Sequence, residues 1–346
     1  MTDHASDVAD LHEFDSYKRL QVETFGGRRF AFVRRLLRLA CKVRIDLLLI
    51  GHVNYAPLGM FARRLQPGLR YGISAHGNDV WLRLSKFRRR ALQKADFIMS
   101  VSDDTYRQAE RVNGRLEGRS YILPNALPWE FEDSIVFDRQ AKATNVLMLS
   151  VCRLAADERE KGVDTVIAAL PKIKARVPDI RYVVIGEGSD LDRHRNLADN
   201  LGVADQVTFL GSVDEAALRK YYEACDLFVL PSAQEGFGIV FLEAMHYKKP
   251  IIAANSGGTP EVVKNQETGM LVEAGNVEQL AAAIIALCTN QPERDRMGQA
   301  GYERLQGNFT FEHFRRRLHE IVMAELPKKA FDHDERQVAR RASSLT

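Results

Sequence analysis

Two glutamates, Glu235 and Glu243, stand eight residues apart in the stretch PSAQEGFGIVFLEAM (231–245), on either side of a Gly-Phe-Gly turn. The preceding apolar run, DLFVL (226–230), predicts a buried strand, and the residues after the turn predict a helix that begins near Gly238. Main-chain N–H groups in the first turn of a helix lack intrahelical acceptors, and flanking glycines let a ligand come close to them. These N–H groups belong to Phe237, Gly238 and Ile239.

The two carboxylates suggest a site that holds hydroxyl groups. Glu243 is predicted about one turn into an apolar helix, roughly 6 Å along the axis from the helix start. A carboxylate buried there costs free energy unless a partner donates to it, and the hydroxyls of a sugar can do so. Two carboxylates at this spacing could hold two polyols of one ligand. The structural alternative is that Glu235 caps the helix and that Glu243 faces solvent.

Arg153 and Lys161 form a second candidate site, in SVCRLAADEREKGVDTVI (150–167). Arg153 follows the first strand of its domain and Lys161 opens the first helix, so both are expected at the mouth of the sheet. Two cations there suit a diphosphate, which an arginine can bind through two parallel hydrogen bonds. Lys161 could instead be a solvated lysine at the helix start, but the helix dipole disfavours a cation at that end.

Two further motifs give weaker signals. Gly186 and Gly188 in VVIGEGSDL (183–191) form a strand–turn–helix unit whose N–H groups could approach a phosphate. A dinucleotide fingerprint needs a third glycine, which is absent, and an ordinary turn explains the pair equally well. His76 in AHGNDVW (75–81) ends a predicted strand and could donate to phosphate or sugar oxygens. A lone histidine is more often structural, and no second His or Cys stands at a metal-ligand spacing.

These motifs are positioned by a regular alternation of strands and helices over residues 145–290. Continuous apolar strands separated by helical patterns are typical of a parallel sheet that is covered on both faces. Ligands of such doubly wound domains bind beyond the carboxyl ends of the strands. The predicted strands span 145–151, 181–186, 206–211, 226–231 and 250–254, and the helical patterns cover 162–176, 189–201, 214–224, 238–247 and 258–264.

The first part of the chain repeats this pattern less completely, so the predicted fold class is α/β, with two Rossmann-like doubly wound domains that face a cleft. We expect an N-terminal domain over residues 1–144, a C-terminal domain over 145–310, and a helix with a frayed tail over 311–346. A linker is predicted near 127–144, where periodicity is lost. In the first domain, strands are predicted at 46–51, 70–77, 95–102 and 120–126, and helices at 29–44, 58–65 and 86–95.

Basic residues are concentrated in the first half of the chain. The whole chain has a net charge of +3, but residues 18–119 hold 22 basic and 8 acidic residues, a net charge of +14. Such an excess favours an anionic partner such as phosphates, nucleic acid or a membrane surface. The helix predicted over 29–44 has an apolar and a basic face, which fits a helix lying on anionic lipid and equally an ordinary surface helix. Nucleic-acid binding is disfavoured because the basic residues are not interleaved with stacking aromatic residues.

The sequence indicates a reducing, cytoplasmic setting. The acidic and polar residues 1–15 do not form a signal peptide, and the best apolar run, 45–61, is interrupted by polar residues and proline. We therefore expect a protein that is soluble or peripheral on the inner face of the cell membrane. The four cysteines are widely spaced in apolar runs without a C-x-x-C pair: Cys41, Cys152, Cys225 and Cys288.

Taken in order, these motifs resemble the retaining glycosyltransferases of family 4, which have the two-domain GT-B architecture. The resemblance covers roughly residues 30–325 and is densest from 145 to 290. Its most specific part is the Glu-x7-Glu spacing around Gly-Phe-Gly, together with the upstream Arg and Lys. Further matching stretches are AHGND (75–79), VSDDT (101–105), LPNAL (123–127), VTFLGSV (207–213) and PIIAANSGGTPEVV (250–263).

The resemblance implies a role for each candidate residue. Glu235 would contact the donor sugar, and Glu243 would bind the ribose hydroxyls of a nucleotide diphosphate sugar. Arg153 and Lys161 would hold the diphosphate and stabilise charge on the leaving group. His76 would approach the reacting centre from the first domain. The other implied donor contacts are Gly186, Val213 (beside the nucleobase), Gly236, Phe237, Gly238 and Ile239.

Family members retain the anomeric configuration, by same-face attack in which the donor phosphate takes the acceptor proton. The resemblance implies no divalent metal and no cofactor, because Arg153, Lys161 and the helix N-terminus supply the positive charge. The predicted function is transfer of a hexose to a hydroxyl acceptor, such as a lipid-linked or growing saccharide in polysaccharide or envelope biosynthesis. The alternative is an inactive donor-binding protein or partner subunit without a complete acceptor site. A nicotinamide-dependent oxidoreductase is disfavoured because no G-x-G-x-x-G follows the first strand.

Three features depart from the family pattern. The first strand of the family and its glycine-rich loop are not found, so the chain is expected to begin inside its first domain. The insert LAADERE (154–160) lengthens the usual Arg–Lys spacing and could displace Lys161. The histidine motif continues as Gly-Asn-Asp-Val-Trp, which leaves the role of Asp79 open.

Overall fold

The computed structural model describes residues 23–127, 131 and 146–327, and these form two α/β units. Each unit is built on a parallel sheet, so the predicted fold class is confirmed. The predicted boundary at 144/145 and the tail after Pro327 lie outside the described residues. The residues before Glu23 also lie outside the described ranges, and the prediction of a missing first strand concerns that part of the chain.

Four parallel strands form the first sheet, in the order in which they occur in the chain. Successive residues of a strand point to opposite faces. Ile98 accordingly packs among helices of its own unit, whereas Phe97 and Met99 pack on the other face. The strands are β1 (Leu47–Ile50), β2 (Arg70–Ala75), β3 (Phe97–Ser100) and β4 (Arg119–Ile122), and the helices are α1 (Arg29–Lys42), α2 (Ala56–Leu65), α3 (Asn78–Trp81), α4 (Lys86–Gln93) and α5 (Asp103–Asn113).

Six parallel strands form the second sheet, and helices cover both of its faces. Because both faces are buried, the strands are continuous apolar runs, which is why the sequence located five of them closely. The strands are β5 (Leu147–Val151), β6 (Arg181–Ile185), β7 (Val207–Gly211), β8 (Leu227–Leu230), β9 (Ile251–Ala254) and β10 (Gly269–Val272); the helices are α6 (Val163–Lys174), α7 (Leu191–Asn200), α8 (Glu215–Ala224), α9 (Ile239–His246), α10 (Thr259–Val262), α11 (Val277–Cys288), α12 (Gln291–Asn308) and α13 (Phe311–Glu325).

The order of the second sheet is β10-β9-β8-β5-β6-β7, so the progression of strands reverses between β5 and β8. Loops that leave the carboxyl ends of two such strands run in opposite directions and leave a crevice between them. Arg153 lies in the loop after β5, and Glu235 lies in the loop after β8. The two main groups of candidate residues therefore meet at the crevice where this fold class binds ligands.

Apart from the four-residue helix α3, three regular elements were not predicted from the sequence: α5, α11 and β10. The edge strand β10 has four residues, of which only Gly269 and Val272 are buried, so its apolar pattern is weak. Helix α11 buries most of its circumference, and a helix that is apolar nearly all round shows no clear amphipathic period. Helix α5 buries the small and polar residues Thr105, Ala109 and Asn113 instead of large apolar ones.

The last described helix, α13, returns to the first sheet. Ile321 packs with Phe97 and Met99 on the face that the helices of the first unit leave uncovered. Nearby, the N–H of Leu127 donates to the carbonyl oxygen of Phe309 at 2.9 Å. The part of the chain predicted as a terminal helix beyond the second domain thus joins the first sheet to the second unit.

A buried carboxylate fixes the end of α13. The Glu325 side chain is fully buried and forms ion pairs with Arg70 and with Arg119, the latter at 3.2 Å. It also accepts a hydrogen bond from the hydroxyl of Tyr121 at 2.6 Å. A buried charge requires such partners, because an unpaired one would lose its hydration without compensation.

The loops of the two units also touch each other directly. Ser102, which caps α5, donates from its hydroxyl to the carbonyl oxygen of Gly236 at 2.7 Å. The carboxylate of Glu261 accepts the N–H groups of Asp103 and Asp104, each at 3.0 Å. A carboxylate at a helix N-terminus is favoured by the helix dipole. Together these bonds hold the loop after β8 and the helix α10 against the first unit.

Replacement of Glu325 by alanine should lower the free energy of unfolding by about 2 kcal/mol, because three donors lose a charged acceptor. Thermal and urea unfolding followed by circular dichroism measure this change. Glu320→Ala, at an exposed position of the same helix, should change stability by less than about 0.5 kcal/mol. Equal effects of the two substitutions would contradict a special role for the buried carboxylate.

Candidate functional site

The loop between β8 and α9 carries Glu235 into the crevice. Gly238 precedes the first residue of α9 with φ +85°, a left-handed conformation that glycine adopts readily. The N–H groups of Phe237 and Gly238 donate to no residue within the described ranges, and Ile239 opens the helix. The Phe237 ring is buried edge-on against Phe309, at 5.6 Å between centroids. The main chain here is thus held firmly while its N–H groups stay available to a ligand.

Lys161 reaches Glu235 across the crevice. Its Nζ lies 3.0 Å from Glu235 Oε2, and the two side chains are only 17% and 16% exposed. The insert ends in a short 3-10 turn followed by Gly162 with φ +76°. The N–H of Ala233 donates to the carbonyl oxygen of Glu160 at 2.7 Å, which ties the insert to the loop after β8. The insert therefore does not displace Lys161 but brings it to the first of the two glutamates.

Arg153, which was expected to bind a diphosphate, is paired with a carboxylate of this chain. Its side chain is 75% exposed and forms an ion pair with Glu158, a residue of the insert whose side chain is 12% exposed. Oε1 of Glu158 makes this pair, and Oε2 is buried without a hydrogen-bond partner among the residues that the structure describes. The arginine stands at the mouth of the crevice, but its charge is met by a carboxylate of its own loop.

Glu243 lies on α9 and receives a hydrogen bond from a tyrosine. The hydroxyl of Tyr222, on α8, donates to Glu243 Oε2 at 2.7 Å. Burial raises the pKa of Glu243, and the hydrogen bond from Tyr222 lowers it in part. Glu243 is thus a largely buried carboxylate in an apolar helix, as expected, and it does not face solvent as the structural alternative required. Tyr222 is not among the candidate residues that the sequence motifs indicated.

His76 contacts the loop of Glu235 through its main chain. A Cβ atom added at Gly236 would lie 2.5 Å from the carbonyl oxygen of His76, so only glycine allows this approach. The imidazole Nε2 lies 2.8 Å from the carbonyl oxygen of Gly51, within the first unit. The ring is thus held by its own domain, and the carbonyl group faces the loop after β8.

Asp79 holds the turn that follows His76. Its Oδ1 accepts the N–H of His76 at 2.9 Å, and Gly77 at this turn has φ +123°. Burial raises the pKa of Asp79, while the main-chain hydrogen bonds from His76 and Gly77 lower it. Its Oδ2 is buried and has no partner within the described ranges. The role that the sequence left open is therefore to fix the conformation at which the two units meet.

Gly186 is explained by packing between strands. A Cβ atom there would lie 1.8 Å from the carbonyl oxygen of Cys152, and the N–H of Gly186 donates to the carbonyl oxygen of Gly211 at 2.8 Å. This matches the structural alternative for the Gly-x-Gly turn. Val213 follows β7 and packs partly buried on the core that contains Tyr222. Its contact with a nucleobase stays a prediction.

The described ranges contain no group of three or more His, Cys, Asp or Glu residues placed to hold a metal ion. None of their helices is both long enough and apolar enough to cross a membrane.

Two family models match the sequence. The one described as "Glycosyl transferases group 1" covers residues 132–304, and "Glycosyltransferase Family 4" covers residues 3–130. Together they span both units of the structure.

Two curated relatives are similar to the chain. A GDP-mannose-dependent alpha-(1-6)-phosphatidylinositol monomannoside mannosyltransferase of Mycobacterium tuberculosis is 33% identical over 284 residues, which cover 78% of this chain and 73% of that protein. A D-inositol 3-phosphate glycosyltransferase of Segniliparus rotundus is 40% identical over 157 residues, which cover 44% of this chain and 34% of that protein.

Two solved structures share the fold. A glycosyltransferase from Rickettsia africae superposes with a TM-score of 0.75 at 18% identity, covering 94% of this chain and 89% of that one. Anabaena HepE in complex with UDP superposes with a TM-score of 0.72 at 20% identity, covering 85% of this chain and 82% of that one. At these identities the likeness establishes the fold.

Replacement of Gly236 by alanine should destabilise the protein by about 2 kcal/mol, because the new methyl group would overlap the His76 carbonyl. The thermal unfolding midpoint measures the change. Gly307→Ala, in α12 with no heavy atom within 4 Å of the added methyl, should leave the midpoint unchanged or raise it. A lowered midpoint in both variants, or in neither, would contradict the proposed contact between the units.

Proposed function

Because the chain belongs to glycosyltransferase family 4, within the group 1 glycosyl transferases, we propose that it transfers a hexosyl group from a nucleotide diphosphate hexose to a hydroxyl acceptor with retention of configuration. The observation that carries this proposal is the Lys161–Glu235 pair beside the available N–H groups at the start of α9. A cation, a carboxylate and main-chain donors meet in one crevice. A sugar diphosphate presents groups that match all three, namely anionic oxygens and hydroxyls.

Each group has a distinct task in this proposal. Lys161 and the N–H groups of Phe237 and Gly238 bind the diphosphate, which the positive end of the α9 dipole also favours. Glu235 accepts a hydrogen bond from a hydroxyl of the hexose. Glu243, further along α9, accepts from the ribose. The ligand therefore lies along the start of the helix, with its sugar towards His76.

The reaction exchanges one bond at the anomeric carbon for another. The bond from that carbon to the diphosphate oxygen breaks, and the acceptor oxygen bonds to the same face. The acceptor proton passes to the departing phosphate oxygen, so no side chain has to act as the base. Lys161 and Arg153 stabilise the charge that develops on the diphosphate. Because these cations supply the charge stabilisation, the proposal includes no divalent metal and no other cofactor.

Donor binding requires Arg153 to exchange its partner. In the present conformation its guanidinium is bound to Glu158, although the arginine is 75% exposed. An ion pair this open to solvent contributes less than about 1 kcal/mol, because water screens it. A diphosphate offers two anionic groups and can replace the single carboxylate.

We propose a GDP-hexose as the donor and a lipid-linked saccharide as the acceptor. The Mycobacterium tuberculosis relative, named for GDP-mannose and for phosphatidylinositol monomannoside, supports both choices at 33% identity. The basic first half of the chain suits an acceptor at the cytoplasmic face of a membrane.

A helical surface of the first unit supports this placement. Helices α1, α2 and α4 pack side by side and carry large apolar side chains that face outward. Phe30 is 93% exposed and Phe87 is 69% exposed, values that are unusual for aromatic residues. Exposed basic residues on the same helices would attract anionic lipid head groups. This helical surface consists of Phe30, Arg34, Arg38, Phe61, Arg64, Leu65, Phe87 and Arg90.

The purified protein should release GDP from GDP-mannose when vesicles carrying phosphatidylinositol monomannoside are present. A thermal-shift series with GDP-, UDP- and ADP-hexoses first identifies the donor, because a bound ligand raises the unfolding midpoint. Glu235→Ala should lower turnover by about 100-fold or more, since it removes a sugar contact and leaves Lys161 unpaired.

Glu303→Ala, at an exposed position on α12, serves as the matched control and should keep full turnover. Undiminished turnover in Glu235→Ala would disprove the role of this residue. Tight binding of a nucleotide sugar without transfer to any acceptor would instead favour the donor-binding, inactive alternative.

The helical surface should bind vesicles that contain phosphatidylglycerol more strongly than vesicles of phosphatidylcholine alone. Replacing Phe30 and Phe87 together by serine should weaken binding to the anionic vesicles about tenfold or more, because two exposed rings no longer enter the lipid. Sedimentation of vesicles with bound protein measures this. The control is Leu201→Ser, which changes an exposed apolar residue that directly follows α7 and should bind as the unaltered protein does. Equal binding by all three proteins would exclude this surface as the lipid contact.

A further inference from the structure

We propose that Tyr222 is a positioning residue that orients the Glu243 carboxylate towards the ribose hydroxyls of the bound nucleotide. This inference rests on the proposed function, since it assigns to Tyr222 a part in binding the same donor. Tyr222 itself is not in contact with the ligand in this proposal; it acts through Glu243.

The side chain of Tyr222 is packed too tightly to rotate. The residue lies on α8, in the buried core of the second unit, and is fully buried. Its ring stacks on Tyr247, with 5.7 Å between centroids and 4° between planes, and on Phe228, at 5.8 Å and 26°. Aromatic contacts on two sides prevent the ring from swinging out. The hydroxyl is therefore fixed in space by packing.

The fixed hydroxyl determines the orientation of Glu243. It donates to Oε2 at 2.7 Å, and no other side chain within the described ranges hydrogen-bonds this carboxylate. A glutamate with one anchored oxygen can rotate little about its last bond. Oε1 then points in one direction and can accept from a hydroxyl of the ribose, whose two neighbouring hydroxyls suit a planar carboxylate.

The same hydrogen bond favours the ionised form of Glu243. Burial raises the pKa of Glu243, and the hydrogen bond from Tyr222 is the interaction that lowers it. Among the described residues, the other titratable groups that act on Tyr222 are Cys225, after the end of α8, and Tyr247, after the end of α9. A thiol and a phenol never carry a positive charge, so neither supplies one to Glu243. Without the Tyr222 hydroxyl, protonation of Glu243 would begin at a higher pH. The protonated oxygen could then no longer accept a hydrogen bond from the ribose.

A purely structural tyrosine would have different properties. If Tyr222 only filled the core, its ring would matter and its hydroxyl would not, apart from a general loss of stability. Phenylalanine has the same ring and keeps both stacking contacts, so Tyr222→Phe separates these two roles. Tyr182→Phe is the matched control, because Tyr182 is fully buried in the same unit and its hydroxyl bonds Ser150 at 2.8 Å instead of Glu243.

The test measures binding of GDP and UDP and of their 2′,3′-dideoxy forms by calorimetry at pH 7.5. Tyr222→Phe should bind the ribonucleotide recognised by the unaltered protein about tenfold more weakly, as expected for loss of a hydrogen bond to a charged group. The dideoxy form lacks the hydroxyls that Glu243 would contact, so both proteins should bind it equally. Tyr182→Phe should bind every nucleotide as the unaltered protein does.

Two outcomes would overturn the inference while leaving the proposed function in place. One is an equal loss of affinity for the ribonucleotide and its dideoxy form, which would indicate a structural role. The other is no loss in Tyr222→Phe. Absence of nucleotide binding by the unaltered protein would instead overturn the proposed function, and the inference with it.

The pH dependence gives an independent measurement. Because Glu243 binds the ribose as a carboxylate, affinity should fall as the pH drops through its pKa. Tyr222→Phe should move this fall to higher pH, and Tyr182→Phe should leave it in place. The phosphate groups of the nucleotide titrate identically with each protein, so they do not affect the comparison. If the affinities of Tyr222→Phe and of the unaltered protein fell over the same pH range, the inference would be contradicted.

Discussion

The contact between Lys161 and Glu235 is the constraint on which the rest of the site depends. The two side chains come from loops after β5 and β8, and they meet because the strand order reverses between these strands. Both are largely buried, so each needs the other: removal of one partner would leave a charge without compensation. The tie between Ala233 and Glu160 and the left-handed turn at Gly162 bring these loops together. The sheet order thus sets the position of the site, and the loop contacts set its geometry.

The second constraint is that the site is completed by the first unit. Gly236 can approach the His76 carbonyl because it has no side chain, and Asp79 fixes the turn from which that carbonyl projects. Ser102 and Glu261 also hold the two units together, through hydrogen bonds at the start of α5. A ligand between the units therefore meets groups whose positions are fixed from both sides, which lowers the entropy lost on binding.

The sequence predicted the fold, and it predicted that candidate residues lie in the loops after β5 and β8, because both predictions depend on local patterns. Buried parallel strands are continuous apolar runs, and Glu235 and Glu243 stand at a fixed spacing around a helix start. The partners of these residues were not predictable in the same way. Tyr222 looks like an ordinary core residue of an amphipathic helix, and only the packing of α8 against α9 places its hydroxyl at Glu243. Likewise, the length of the insert suggested displacement of Lys161, whereas its backbone contacts return the lysine to the crevice.

The charges of the site explain how it can be stable without a ligand and still accept an anionic one. Its two cations are each paired with a glutamate, so a diphosphate can enter favourably only by replacing a carboxylate. The Lys161–Glu235 pair is shielded from water, whereas the arginine of the Arg153–Glu158 pair is 75% exposed. Solvent screening weakens the second pair much more than the first. In the proposed reaction Arg153 is therefore the cation that would exchange its partner, while Lys161 and Glu235 would stay in place as a preformed contact for the diphosphate and the sugar.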